Sequence, residues 1–150
     1  MLTPTRLFAA IGAAAIVAVA APVPLGAAAG CPLSDQEFFS ELRKVQDWNG
    51  IYDLVKRRLP GCPDDGVYAE GYSDAIVHTL AKGWSYLPQL VSLVARNPGF
   101  HSFVLRHINA TADRHELRQT RHQAKTECPP DAEDLCREIA TRAGDALRHR

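Results

Sequence analysis

Residues 68–82 read Tyr-Ala-Glu-Gly-Tyr-Ser-Asp-Ala-Ile-Val-His-Thr-Leu-Ala-Lys, and their pattern is the clearest indication of the fold class. Its apolar residues recur at intervals of three and four and form one stripe about four turns long, which is typical of an amphipathic helix. No part of the chain alternates apolar and polar residues over the length of a strand. We therefore predict an all-α protein.

Similar helical spacing on both sides of this stretch predicts further helices. Ser34 with Glu37 is a capping-box pattern that starts the first helix near Asp35, because each side chain can bond the other residue's backbone amide. Pro60-Gly61 ends the second helix. The expected caps of the fifth, sixth and seventh helices are Asn97, Asp113 and Asp131. Together these signals predict a compact bundle of about six to seven short helices.

The composition permits one ordinary globular domain. The chain has 150 residues, 46% of them hydrophobic and 23% charged, with 17 Lys plus Arg balanced by 17 Asp plus Glu. This excludes a disordered chain, which would have few apolar residues and a high net charge. The length leaves no room for two independent cores, so we predict a single domain over residues 31–150.

Residues 1–30 have the organisation of a secretory signal peptide. Arg6 supplies the positive start, residues 7–21 form an apolar run, and Ala27-Ala28-Ala29 offers a cleavage pattern of small residues. The run is shorter than the roughly 20 residues that a membrane span requires. We expect a periplasmic or secreted protein with no transmembrane span in the mature chain. Attachment of a lipid to Cys31 is the alternative.

Four cysteines lie in the exported part, where an oxidising compartment favours disulfide bonds and an even count leaves no unpaired thiol. Cys128 and Cys136 flank a Pro-Pro-Asp turn between two predicted helices, so a short bridge between them is geometrically reasonable. We therefore predict the pairs Cys128–Cys136 and Cys31–Cys62. A metal–thiolate site is disfavoured because no two cysteines have the spacing of such sites.

The chain as a whole resembles small, uncharacterised exported bacterial helical proteins. The resemblance is carried by the alanine-rich leader, by Asp-Trp-Asn-Gly-Ile-Tyr at residues 47–52 and by Phe-Val-Leu-Arg-His-Ile at residues 103–108. It covers most of residues 31–150. It implies export and a helical fold, and it brings no known activity, so no functional residue can be carried over.

The sixth helix concentrates positive charge. Residues 75–126 carry seven Lys plus Arg and two Asp plus Glu, and four of these cations lie at offsets 0, 4, 7 and 11 on one helical face: Arg114, Arg118, Arg121 and Lys125. The opposite stripe of Leu117, Thr120 and Ala124 is thin, so the helix should lie at the surface. These four cations are either a solvated face or a surface for an anionic protein partner. Nucleic acid is disfavoured because no aromatic residues interleave with the stripe.

A second candidate site lies on the polar side of the third helix. Glu70, Asp74 and His78 follow one another at intervals of four, and two carboxylates with one imidazole can hold a divalent metal. Lys82 continues the same row, which favours ordinary pairing of side chains. We predict no cofactor, and we keep a metal or small-ligand binder as the alternative function.

No catalytic residues can be assigned from the sequence. No glycine-framed nucleophile turn is present, and nothing selects two acids for glycoside cleavage among Asp64, Asp65, Glu70 and Asp74. His107 shares a row with Phe100, Val104 and Ile108, and a histidine in that setting is usually a hydrogen-bonded core residue. We therefore predict a non-enzymatic, protein-binding module, for example an inhibitor or immunity-type protein. A hydrolase is the less favoured alternative.

Overall fold

The computed structural model describes residues 31, 33–58 and 62–149, and within them the protein has seven α-helices and no strand. A π-helical turn, Leu54–Arg58, continues the second helix, and short 3-10 turns at Trp84–Tyr86 and Pro130–Ala132 precede the fourth and seventh. The all-α prediction is confirmed. The helices are α1 (Asp35–Arg43), α2 (Trp48–Asp53), α3 (Gly66–Lys82), α4 (Leu87–Arg96), α5 (Pro98–His107), α6 (Arg114–Thr126) and α7 (Glu133–Arg148).

Two helix starts form as the local pattern predicts. The amide of Ser34 donates to Glu37 Oε2 at 2.9 Å while the amide of Glu37 donates to Ser34 Oγ at 3.4 Å, which completes the capping box. At α6 the carboxylate of Asp113 accepts from the amide of Glu116 at 2.9 Å. Both contacts satisfy backbone amides that have no partner within the helix.

Of two other predicted caps, Asn97 occupies the cap position of α5 without a side-chain capping bond, and Asp131 is not the cap of α7. Asn97 precedes α5, but its side chain turns back to donate to the carbonyl of Leu93 at 3.1 Å and to accept from the hydroxyl of Tyr52 at 3.0 Å. Asp131 lies inside the 3-10 turn, and α7 begins two residues later without a side-chain cap. In both places a neighbouring contact or a tight turn replaces the local capping bond.

α3 lies at the centre of the molecule and packs against α1, α2, α5 and α6. Its contact with α1 depends on Gly71, because a Cβ at that position would lie 2.8–2.9 Å from the side chains of Phe38, Phe39 and Leu42. Such separations are well below van der Waals contact. The missing side chain therefore sets how closely α1 approaches α3.

α6 and α7 form a hairpin and contact each other more extensively than any other pair of helices. Leu117, Thr120 and Ala124 of α6 are buried, as are Ile139 and Ala143 of α7. Cys128 bonds Cys136 near the turn, while Arg121 lies over Gly144 further along. The two helices are therefore antiparallel, and small residues let them approach closely.

The predicted disulfide pairs are confirmed. Cys31 is bonded to Cys62 and Cys128 to Cys136, with Cα–Cα separations of 3.9 and 6.1 Å. The two bonds are compatible with an oxidising compartment. No helix among the described ranges has both the length and the apolar character needed to cross a bilayer. The predicted signal peptide, residues 1–30, lies outside the described residues.

Candidate functional site

The four predicted basic residues of α6 lie along one surface of the molecule, which we call the basic face (Arg114, Arg118, Arg121 and Lys125). Arg114, Arg118 and Lys125 are exposed, and Arg121 is half-buried. Within residues 31, 33–58 and 62–149, none of the four forms an ion pair with a carboxylate. Their charges are therefore uncompensated by the protein's own described acids.

A cleft of about 490 Å³ runs between α6 and α7 beside the Cys128–Cys136 bond, and we call it the α6–α7 cleft. Arg121 and Lys125 extend the basic face into it from α6. The α7 side contributes small residues to its wall and basic residues to its rim. The lining is Arg121, Ala124, Lys125, Cys128, Glu133, Cys136, Arg137, Ala140, Thr141, Gly144, Asp145 and Arg148.

The two basic side chains that α7 contributes already have carboxylate partners. Arg137 pairs with Asp134, and Arg148 pairs with Asp145, each one turn away on the same helix. Arg137, Asp134 and Arg148 are exposed and Asp145 is half-buried, so these pairs add little stability. They do hold the two guanidinium groups close to α7.

Arg121 and Lys125 also border a second, shallower depression of about 320 Å³ on the same side of the hairpin. Its other lining residues are Arg118, His122 and Leu147. The two basic side chains therefore form a ridge between two concave surfaces. A partner that follows the hairpin would meet this ridge from either side.

The contribution of α7 to this surface was missed by sequence reasoning. Arg137, Gly144 and Arg148 lie at offsets 0, 7 and 11, the same interval that aligns Arg114, Arg121 and Lys125 on α6. This spacing is visible in the sequence and predicts one face of α7. It does not predict that the face meets α6, which depends on the antiparallel packing of the hairpin.

Glu70, Asp74 and His78 do not assemble into a metal site. His78 Nδ1 lies 2.9 Å from Glu116 Oε1, and Lys82 Nζ donates to Gln119 Oε1 at 3.0 Å, so this row of α3 contacts α6 instead. In the part of the chain that the structure describes, no three His, Cys, Asp or Glu side chains come close enough to hold a metal ion.

A groove of about 520 Å³ lies between α1, α3 and the start of α6. Phe39, Leu42, Val45 and Ala75 give it an apolar floor. Charged and polar side chains form the rim, and the predicted residues Asp74 and His78 belong to it: Arg43, Asp74, His78, Thr79, Asp113 and Glu116. The rim carries three carboxylates and one guanidinium.

His107 is the centre of a buried polar network, as its row in the sequence predicts. Its Nδ1 lies 3.1 Å from Ser73 Oγ, and Asn109 Nδ2 donates to the same hydroxyl at 2.9 Å. The Ser73 hydroxyl donates to the carbonyl of Ala69 at 2.8 Å. His107 Nε2 lies 2.8 Å from Asp64 Oδ1.

The protonation of His107 is governed by its burial. Because burial penalises the charged ring, the pKa of His107 is lowered from its usual value; the carboxylate of Asp64 opposes this, and the guanidinium of Arg106 reinforces it. Tyr72, whose ring packs beside His107, has its pKa raised to about 12, mainly by burial. These shifts follow from packing in the core.

Serine, histidine and aspartate are the residues of a nucleophilic triad, but this network cannot act as one. Ser73 is fully buried, and its hydroxyl donates to the backbone instead of facing a solvent-accessible space. A nucleophile must be reachable by its substrate. The contacts of Ser73, His107 and Asp64 therefore hold α3, α5 and the segment before α3 together.

No family model matches this chain, and no curated protein or solved structure is significantly similar to it.

Proposed function

We propose that the protein is an exported, non-enzymatic binding module that holds an anionic surface of another protein through the basic face of α6. An inhibitor or immunity-type protein is the concrete form of this proposal, because such a protein acts through a stable, complementary surface. The observation that carries it is the set of four basic side chains, aligned on one helix and without a carboxylate partner among the described residues.

The arrangement on α6 favours a binding role over a solvated surface. Arg114 and Arg118 are four residues apart on the helix, as are Arg121 and Lys125, and like charges at this spacing destabilise a helix by a few tenths of a kcal/mol. An anionic partner removes this repulsion and gains charge-assisted hydrogen bonds. The basic face also continues into a concave surface, the α6–α7 cleft, which gives a partner shape as well as charge to recognise.

Partner capture with a charge-reversed variant tests this proposal. The variant Arg114→Glu/Arg118→Glu/Arg121→Glu replaces attraction with repulsion toward an anionic partner. We expect the tagged protein, with both disulfide bonds intact, to retain one partner in near-stoichiometric amount from an envelope extract of the producing cell. The variant should lose that partner while its far-ultraviolet circular dichroism is unchanged. Mass spectrometry identifies and quantifies the retained protein.

A matched control separates the basic face from net charge. The variant Lys44→Glu/Lys56→Glu/Arg96→Glu makes the same change in net charge at exposed positions outside α6 and α7, and we expect it to retain the partner. Capture by the natural protein should weaken between low and moderate salt, since screening shortens the range of charge interactions. Equal capture by the two reversed variants, or no partner at either salt concentration, would contradict the proposal.

A further inference from the structure

Gly144 of α7 brings two guanidinium groups to one point of the α6–α7 cleft. A Cβ at Gly144 would lie 3.4 Å from Arg121 Nε and 3.7 Å from Arg148 Nη1. The two groups belong to different helices and flank the same small volume above the glycine. Guanidinium groups donate several hydrogen bonds in a fixed planar fork that suits a carboxylate.

The charges in the cleft leave a cationic centre. Arg148 is held by Asp145, and Arg137 is held by Asp134, whereas Arg121 and Lys125 have no carboxylate partner within the described residues. The other carboxylate in the lining is Glu133, in the first turn of α7 and thus toward the disulfide end of the cleft. The region around Gly144 therefore combines the uncompensated guanidinium of Arg121 with that of Arg148, which Asp145 already holds, and Lys125 lines the same cleft.

The wall of the cleft is lined by small, largely apolar side chains. Ala124 of α6 and Ala140 of α7 line it together with Gly144 and the methyl-bearing Thr141. A free inorganic anion would leave this surface uncovered. A carboxylate carried on an aliphatic side chain would cover it and place its charge among the cations.

We propose that the α6–α7 cleft receives a glutamate or aspartate side chain from an acidic segment of the partner protein. The carboxylate bonds Arg121 and Arg148 above Gly144, with Lys125 adding charge at the edge. The aliphatic part of the side chain contacts the wall at Ala124 and Ala140. This inference rests on the proposed function, and it names the part of the partner that the basic face recognises.

A short peptide tests the cleft without knowledge of the partner. The probe is acetyl-Ala-Ala-Glu-Ala-Ala-amide, and its control has glutamine in place of the glutamate. We expect the glutamate peptide, titrated into the ¹⁵N-labelled protein at low salt, to cause saturable amide shifts at Arg121, Lys125, Gly144 and Arg148. The glutamine peptide and sodium phosphate should not cause this pattern.

Two pairs of variants separate the cleft from the rest of the surface. Thr141→Phe places a ring in the cleft from an exposed position of α7, and Ser102→Phe adds the same ring on α5, outside every cavity described above. We expect the first to weaken peptide binding about tenfold, the loss of roughly one charge-assisted contact, and the second to leave it unchanged. Gly144→Ala should weaken binding less, while Gly99→Ala, whose Cβ meets nothing within 4 Å, should have no effect.

Equal shifts from both peptides, a phosphate response equal to that of the glutamate peptide, or normal binding by a folded Thr141→Phe variant would overturn the inference. If the charge-reversed variant loses the partner while Thr141→Phe captures it normally, the proposed function holds and the cleft inference fails. If reversal of the basic face leaves capture intact, the proposed function itself fails.

Discussion

At the scale of single residues, three glycines shape this protein. Gly71 allows α1 to approach α3, and Gly144 leaves room for Arg121. Gly66, in the left-handed region with a φ of 50°, starts α3 after the loop that carries Asp64. Gly71 is required for close approach and Gly66 for its backbone angle, whereas a Cβ at Gly144 would make ordinary contact with Arg121 and narrow the cleft.

Gly71→Ala is expected to destabilise the protein by about 1–3 kcal/mol, the range for overpacking a well-filled core. The new methyl would meet three side chains of α1 at once, so no single rotamer change relieves the contact. Urea unfolding measures the free-energy change. Gly99→Ala is the matched control, because the same substitution there meets no neighbour and should preserve stability or raise it slightly. Equal effects of the two variants would show that the α1–α3 contact is not limited by Gly71.

At the scale of helices, capping bonds at helix ends and the disulfide bond between α6 and α7 fix where elements begin and meet. The first turn of α7 has no side-chain cap, and the Cys128–Cys136 bond ties this turn to the end of α6. Trp84 supports the same junction by donating from Nε1 to the carbonyl of Glu127 at 3.0 Å. The start of the hairpin is therefore held by a covalent bond and one long-range hydrogen bond.

Replacing both cysteines of this bridge, Cys128→Ala/Cys136→Ala, should lower the free energy of unfolding by about 2.5 kcal/mol, the chain-entropy value for so short a loop. The Cys31–Cys62 bond closes a longer loop, so Cys31→Ala/Cys62→Ala should lower the free energy of unfolding by more, about 3.5 kcal/mol by the same relation. Urea unfolding of both variants under identical conditions gives the comparison. A smaller loss for the longer loop would mean that loop entropy does not set the contribution of these bridges.

At the scale of the whole molecule, the buried network of His107 links three separated parts of the chain. Asp64 precedes α3, Ser73 lies within it, and Asn109 follows α5. The Ser73 hydroxyl already donates to a carbonyl, so its contact with Nδ1 requires the proton on that nitrogen. Protonation of the second nitrogen would pair it with Asp64, but burial opposes that charge.

Stability should therefore fall as the solution becomes mildly acidic. Because the pKa of His107 is lowered in the folded protein, the unfolded chain binds a proton at this residue below a pH of about 6.5 while the folded protein stays neutral there. The free energy of unfolding therefore decreases as the pH falls from about 6.5 to the lower pKa of the folded state. Urea unfolding at pH 7.5, 6 and 5 measures this trend. His107→Gln should reduce the slope, whereas His122→Gln, an exposed histidine on α6, should retain it. An unchanged slope in His107→Gln would assign the trend to other groups.

The residues that stabilise the fold and the residues proposed to bind a partner lie in different parts of the molecule. Ser73 and His107 of the polar network are buried, as are Phe38 and Leu42 at the α1–α3 contact, and these residues serve stability. The basic face and the α6–α7 cleft lie on the hairpin that the disulfide bridge secures. A binding surface on so firmly held an element loses little conformational freedom when a partner docks. This separation is why the charge-reversed variant should lose its partner without losing its fold.

Features that arise from neighbours along the chain follow from the amino-acid sequence alone. Helical periodicity, the caps at Ser34 and Asp113, the pairing of the cysteines and the alignment of cations on α6 depend on residues a few positions apart or on a simple geometric choice. Asn97 and Asp131 show where that reasoning fails, since a distant hydroxyl and a tight turn outcompete the local cap.

Which of these helix faces meet depends on the packing of the whole fold. His78 turns to Glu116 instead of joining Glu70 and Asp74, Gly71 contacts α1, and Gly144 places Arg148 beside Arg121. These pairs join residues that local spacing does not connect, and their geometry follows from how the helices pack. Local spacing fixes which face of a helix is basic or apolar, but burial of the apolar faces determines which faces come together.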